Sequence, residues 1–186
     1  MEKKALIEQT RHSEQVYDGV LLKVYRDVVK LPNGKSAIRE WIDHPGASAV
    51  VPIFDSGEVL LLRQFRYPSR RVFIEVPAGK LDHPGEDPET VARRELEEET
   101  GWKAHQWTYL GPYYPCIGYS NEVIHLYLAE QLEQGTAHTE EEEFVLPFKI
   151  PFEQAIEMVQ RAAIDDMKSA LALLLAKAYL ENRNSR

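Results

Sequence analysis

Residues 72–102 read VFIEVPAGKLDHPGEDPETVARRELEEETGW. An apolar run rich in β-branched residues ends at Gly79, a polar turn comes next, and Asp87 then stands as a helix cap with Pro88 in the first turn. Gly101 supplies the left-handed stop. A helix turns by about 100° per residue, so with Val91 at zero, Glu98 lies at about −20°, Glu95 at about 40°, Glu99 at about 80°, Ala92 at about 100° and Leu96 at about 140°. Three carboxylates therefore share the apolar side, whereas Arg93 and Glu97 fall opposite. Like charges one turn apart repel even in water, by about 0.2–0.5 kcal/mol per pair, so something must compensate them. Hard oxygen donors with little nitrogen or sulfur nearby suit Mg²⁺, with Mn²⁺ as the second candidate, and such sites leave positions for water and substrate phosphates.

The chain that carries this helix has 186 residues, a formal charge of −8 and a pI near 5.3. It fits one domain with a proper core. Its acidity argues against a nucleic-acid surface, so any anionic ligand must meet local positive charge. One cysteine, Cys116, excludes an internal disulfide framework. Residues 1–15 lack the apolar stretch of a signal peptide and no run reaches membrane-spanning length. A cytoplasmic protein without membrane partners is expected.

Upstream, residues 19–31 and 36–43 form two extended runs about Pro32-Asn33-Gly34, which predicts a hairpin. A second hairpin is expected from SAVVPIF and EVLLLRQF around Asp55-Ser56-Gly57, and VFIEVPAG makes a fifth strand. Downstream, WTYLGPYYP and EVIHLYLAEQL read as strands, a glutamate run occupies residues 140–143, and two helices finish the chain. The last is expected to bury a stripe through Leu171, Leu174, Leu175 and Tyr179. Mixed strands with helices before and after the last ones predict an α/β fold layered as an α/β/α sandwich.

The helix and its loop resemble the Nudix hydrolase signature, which runs Gly, five residues, Glu, seven residues, then Arg-Glu-apolar-x-Glu-Glu-x-Gly-apolar. Here Glu86 is followed by seven residues and then Arg94, Glu95, Leu96, Glu97, Glu98, Glu99, Thr100, Gly101 and Trp102. Six residues, not five, separate Gly79 from Glu86, an insertion that a surface turn absorbs cheaply. REWIDHPGASAVVP, VLLLRQFR, EVPAGKLD and AIDDMKSALALLL extend the resemblance over roughly residues 16–179, toward the subfamily that hydrolyses ADP-ribose and other nucleoside diphosphate sugars. Where ADP-ribose enzymes often read Ser-Pro-Gly after the box, this chain reads Tyr114-Pro115-Cys116-Ile117-Gly118.

The resemblance implies a Nudix-type mixed sheet plus an N-terminal antiparallel sheet region, residues 1–46, that builds a homodimer, followed by the hydrolase domain over residues 47–186. It implies metal ligands at Glu95, Glu98, Glu99 and the Ala78 carbonyl, with Glu98 also among the catalytic residues. Gly79, Glu86, Arg94 and Gly101 hold the motif together, Glu86 and Arg94 as an ion pair. A base from the loop after the last sheet strand corresponds to Glu140 or Glu142 in TEEEEF, where crowding among carboxylates raises a pKa toward neutrality. Arg66 matches a phosphate-binding arginine, whose fork of donors suits phosphate oxygens. Arg39, Glu40 and Trp41 match the strand at the nucleotide end of the pocket, and Glu122 a glutamate near the distal sugar. The implied reaction is Mg²⁺-dependent hydrolysis of a diphosphate, with ADP-ribose or a nucleotide hexose such as GDP-mannose as substrate and metal-activated water attacking phosphorus. The alternatives are a nucleoside triphosphate pyrophosphohydrolase and a non-catalytic nucleotide-sugar sensor. The six histidines show no zinc-ligand spacing.

Overall fold

A computed structural model describes residues 6–83, 85–136 and 144–185. The chain divides into two compact units, Met1–His44 with Cys116–Glu122, and Pro45–Pro115 with Val123–Arg186.

The first unit is a three-stranded antiparallel sheet of β1 (Gln9–Asp18), β2 (Lys23–Lys30) and β3 (Ser36–Asp43), in that order. β2 and β3 are the expected hairpin, turned by Gly34 at φ 85°. β1 was not expected. Its sequence QTRHSEQVYD lacks apolar alternation, and every one of its residues is exposed. The segment Cys116–Glu122 is stitched to β3: the Ile42 amide donates to the Tyr119 carbonyl at 2.8 Å, and the Asn121 side chain caps the His44 amide and binds Asp43.

The second unit holds two sheets. β7 (Ala78–Lys80), β4 (Ala47–Pro52), β9 (Ile124–Gln134) and β8 (Trp102–Tyr113) form a mixed sheet in that order, with β4 and β9 parallel. β10 (Val145–Pro151), β5 (Glu58–Arg66) and β6 (Arg71–Glu75) form an antiparallel one. β4 is buried at every residue. Ala47, Ala49 and Val51 join the core beneath α2 (Phe152–Gln160) and α3 (Met167–Asn184), while Val50 joins Ala92 and Leu96 of α1 (Pro88–Thr100). Helices thus cover both faces, the layered arrangement expected of the sequence.

Three expectations about these elements need correction. The turn at Asp55-Ser56-Gly57 exists, with Gly57 at φ 83°, but β4 and β5 share only the bridge Ile53–Val59 before entering different sheets. The run VFIEVPAG is two strands, β6 and β7, also in different sheets. Pro77 between them has no N–H for a ladder. On α3 the buried positions are Ser169, Ala172, Leu173 and Ala176, whereas Leu174 and Tyr179 are exposed. The run LALLLAKAYL is apolar nearly all round, so periodicity alone does not single out its inner face.

Candidate active site

Helix α1 is bounded as its sequence predicts. Asp87 Oδ2 accepts from the Thr90 amide at 3.1 Å, and Gly101 at φ 72° returns its amide to the Glu97 carbonyl at 2.8 Å. Val91, Ala92 and Leu96 are fully buried, and the Ser48 hydroxyl donates to the Pro88 carbonyl at 2.7 Å, fixing the first turn on β4. The angular reading of the helix holds for Glu99, only 3 % exposed on the flank of that apolar face, and for the largely covered Glu95, whereas Glu98 is as open to solvent as Glu97 on the opposite side.

Glu99 reaches β7. Its Oε2 accepts from the Ala78 amide at 3.0 Å, joining two members of the expected metal set. Gly79 is next in the strand, and a Cβ built there would stand 2.0 Å from the Glu95 carboxyl carbon. Glycine is what lets that carboxylate lie against the strand. Ala78, Gly79, Arg94, Glu95 and Glu98 line one cavity of about 720 Å³, together with Asp82 and the exposed rings of Phe65 and Phe144.

Arg94 is the counter-charge. It lies 2.9 Å from Glu86, 3.1 Å from Asp82, 3.7 Å from Glu95 and 3.9 Å from Glu98. The Asp82 amide bonds the Glu86 carboxylate, which with the Arg94 contact outweighs slight desolvation and lowers the Glu86 pKa. Burial opposes the charge on Arg94, but the hydrogen bond to Glu86 and the surrounding carboxylates raise its pKa. The pair ties the loop, in which Gly85 adopts φ 86°, to the helix.

Among the described residues no three acidic or histidine side chains converge on one point as finished metal ligands. The donor set nevertheless fits a hard divalent cation. Glu95, Glu98 and Ala78 line the same cavity, Glu99 bonds the Ala78 amide, and all donors are oxygens.

Arg66 is held from behind. Its Nε and Nη2 each donate to Glu75 at 2.7 Å, a bidentate fork onto a carboxylate only 2 % exposed. Lys168 binds the same carboxylate. Burial works against ionised Glu75, yet the hydrogen bonds and charges of Arg66 and Lys168 prevail and lower its pKa. Arg66 also feels the charges of Asp166 and Glu99. It does not line the cavity, which receives Gln64 and Phe65 from the same strand.

Arg39, Glu40, Trp41 and Glu122 all belong to the first unit. Arg39 forks onto Glu8 at 2.9 and 2.5 Å, and Glu40 lies opposite Arg26 in the β2–β3 register. Trp41 donates its indole N–H to Asp27 at 3.2 Å and stacks on Tyr25 with centroids 4.9 Å apart. Glu122 lies 3.8 Å from His44 Nδ1. The expected base, Glu140 or Glu142, lies outside the described residues.

Glu75 and Lys168 were not anticipated. The sequence does carry a signal for Glu75, a lone carboxylate inside the apolar run VFIEVPAG, the same kind of misplaced charge as on α1. Lys168 carried none, because its partner lies 93 residues away.

Comparison with known proteins finds matches over most of the chain. Residues 43–173 match the NUDIX domain model, and residues 8–42 match the nucleoside diphosphate sugar hydrolase N-terminal domain. The chain is 40% identical over 172 residues to an ADP-ribose pyrophosphatase of Bacillus subtilis, covering 91% of this chain and 92% of that protein. It is 37% identical, with the same coverage, to a methanol dehydrogenase activator of Bacillus methanolicus. Its fold superposes on the crystal structure of an ADP compounds hydrolase with a TM-score of 0.85 at 22% identity, covering 96% of this chain and 97% of the other.

Proposed function

This chain belongs to the Nudix hydrolases, and from that premise we propose that it splits the diphosphate of nucleoside diphosphate sugars, ADP-ribose foremost and GDP-mannose as the alternative, into a nucleoside monophosphate and a sugar phosphate. The observation that carries the reading is the single cavity in which Ala78 and Gly79 of β7 meet Glu95 and Glu98 of α1, with Glu99 bonded to Ala78.

Hydrolases of this family use divalent metal ions, and Glu95, Glu98, Glu99 and the Ala78 carbonyl are the groups that would hold Mg²⁺, or Mn²⁺, here. When bound, the ion supplies charge neutralisation of the diphosphate and polarisation of water. The protein's own contribution is placement. Glu99 and Gly79 fix β7 against the helix, and the Glu86–Arg94 pair fixes the loop between them. Arg66, oriented by Glu75, offers its remaining donors to a phosphate. Glu140 or Glu142 accepts the proton of the attacking water, and Glu98 is the other carboxylate assigned to catalysis.

The N-terminal region, residues 1–46, serves as the dimerisation element and contributes Arg39, Glu40 and Trp41 to nucleotide binding, with Glu122 toward the sugar; residues 47–186 form the hydrolase domain. Support for dimerisation comes from the first unit's exposed apolar residues, among them Tyr17, Val20, Leu21 and Ile38. Among the described residues no helix is long and apolar enough to cross a membrane.

The test is a hydrolysis panel of ADP-ribose, GDP-mannose and a nucleoside triphosphate, run with Mg²⁺ and again with a chelator, with products separated by ion exchange. AMP and ribose 5-phosphate from ADP-ribose, abolished by the chelator, are expected. Pyrophosphate from the triphosphate as the main product supports the alternative enzyme, and turnover of nothing supports the sensor.

A further inference from the structure

Helix α3 begins with more hydrogen bonding than a helix cap needs. Asp166 Oδ2 accepts from the Ser169 amide at 3.0 Å, which by itself completes the cap. The same oxygen also accepts from the Ser169 hydroxyl at 2.5 Å and from Lys168 Nζ at 2.8 Å. With its proton directed at Asp166, the Ser169 hydroxyl turns its lone pairs outward and accepts from the Val76 amide at 2.9 Å. Lys168 reaches the other way, to the carboxylate of Glu75. Ser169 is wholly buried. The two side chains thus grip Glu75, the last residue of β6, and Val76 directly after it, each 93 residues earlier in the chain.

Directly after Glu75 and Val76 the chain crosses into the candidate site. Pro77 offers its carbonyl to the Val50 amide at 2.9 Å, and Ala78 donates to Glu99. Glu75 meanwhile holds the fork of Arg66.

We propose that Ser169 and Lys168 are positioning residues of the diphosphate centre: Ser169, through Val76, sets the strand that presents the Ala78 carbonyl, and Lys168, through Glu75, sets the direction of the Arg66 guanidinium. The proposal rests on reading this chain as a metal-dependent diphosphatase. Neither side chain touches the reacting atoms; both act through a neighbour, as partners behind metal ligands do in general. A helix that needed only a cap would keep Asp166 and the Ser169 amide and tolerate any small side chain at 169.

The test compares Ser169→Ala, Lys168→Met and Lys168→Arg in the full chain with Ile156→Val, a core change on α2 that lowers thermal stability without touching the network. Mn²⁺ affinity is read from the resonance of the free ion, and KM and kcat for ADP-ribose from initial rates. Ser169→Ala is expected to weaken Mn²⁺ binding by about tenfold. Lys168→Met is expected to raise KM by about tenfold, and Lys168→Arg, which keeps a donor for Glu75, to restore most of it. Ile156→Val leaves both constants near those of the wild type. Unchanged Mn²⁺ affinity and unchanged KM in the Ser169 and Lys168 variants overturn the proposal. If Ser169→Ala does not fold, the Met and Arg variants at 168 decide it. If the wild type turns over no nucleotide sugar, the functional reading falls, while the Mn²⁺ measurement still decides the positioning role.

Discussion

The Glu99 carboxylate accepts a hydrogen bond from the Ala78 amide at 3.0 Å, so the last glutamate of α1 is both an expected metal ligand and the clamp on the strand that carries another, the Ala78 carbonyl. The two roles separate by substitution. Glutamine keeps an acceptor for the amide, so Glu99→Gln should melt close to the wild type. Alanine leaves the amide without its partner and should cost about 1–3 kcal/mol. Thermal unfolding of the two variants checks this; equal loss in both removes the clamp.

Gly79→Ala tests the close approach of Glu95. The added Cβ meets the end of a flexible side chain, not backbone, so the carboxylate moves and the fold survives. The expected outcome is a stability change within about 1 kcal/mol together with a several-fold rise in the Mg²⁺ concentration needed for half-maximal rate. A variant with normal Mg²⁺ dependence shows that Glu95 need not lie there.

The Glu75 network carries a pH signature. Its carboxyl is held below the ordinary value of 4.5, so the stability it contributes is complete above that pH and fades as pH falls through the folded-state pKa. Replacing it with Gln removes the negative charge that faces Lys168, 14 % exposed, and should cost about 3 kcal/mol at pH 7. The melting difference between wild type and Glu75→Gln should then shrink below pH 4.5. A difference that stays constant with pH refutes the ion pair as its source.

Much of this was legible in the chain, for a physical reason. Asp87, Pro88 and Gly101 act on their own neighbours, so the limits of α1 come from local chemistry, and the buried flank of Glu99 comes from the helical period. The features that escaped depend on partners distant in sequence. The turn at Asp55-Ser56-Gly57 announces a reversal but not that β4 and β5 then pair with different strands. β1 carries no apolar alternation because all of it is exposed. At the site, Arg66 reads as a phosphate ligand while nothing local reveals that Glu75 and Lys168 stand behind it.

The most direct measurement is the rate of AMP release from ADP-ribose at saturating Mg²⁺ by the wild type and by Glu99→Gln. Steady turnover by the wild type, its loss on chelation, and a fall of about a hundredfold or more in the folded variant are expected of a metal centre built on α1. Wild-type rates in Glu99→Gln, or in the chelated wild type, would contradict it.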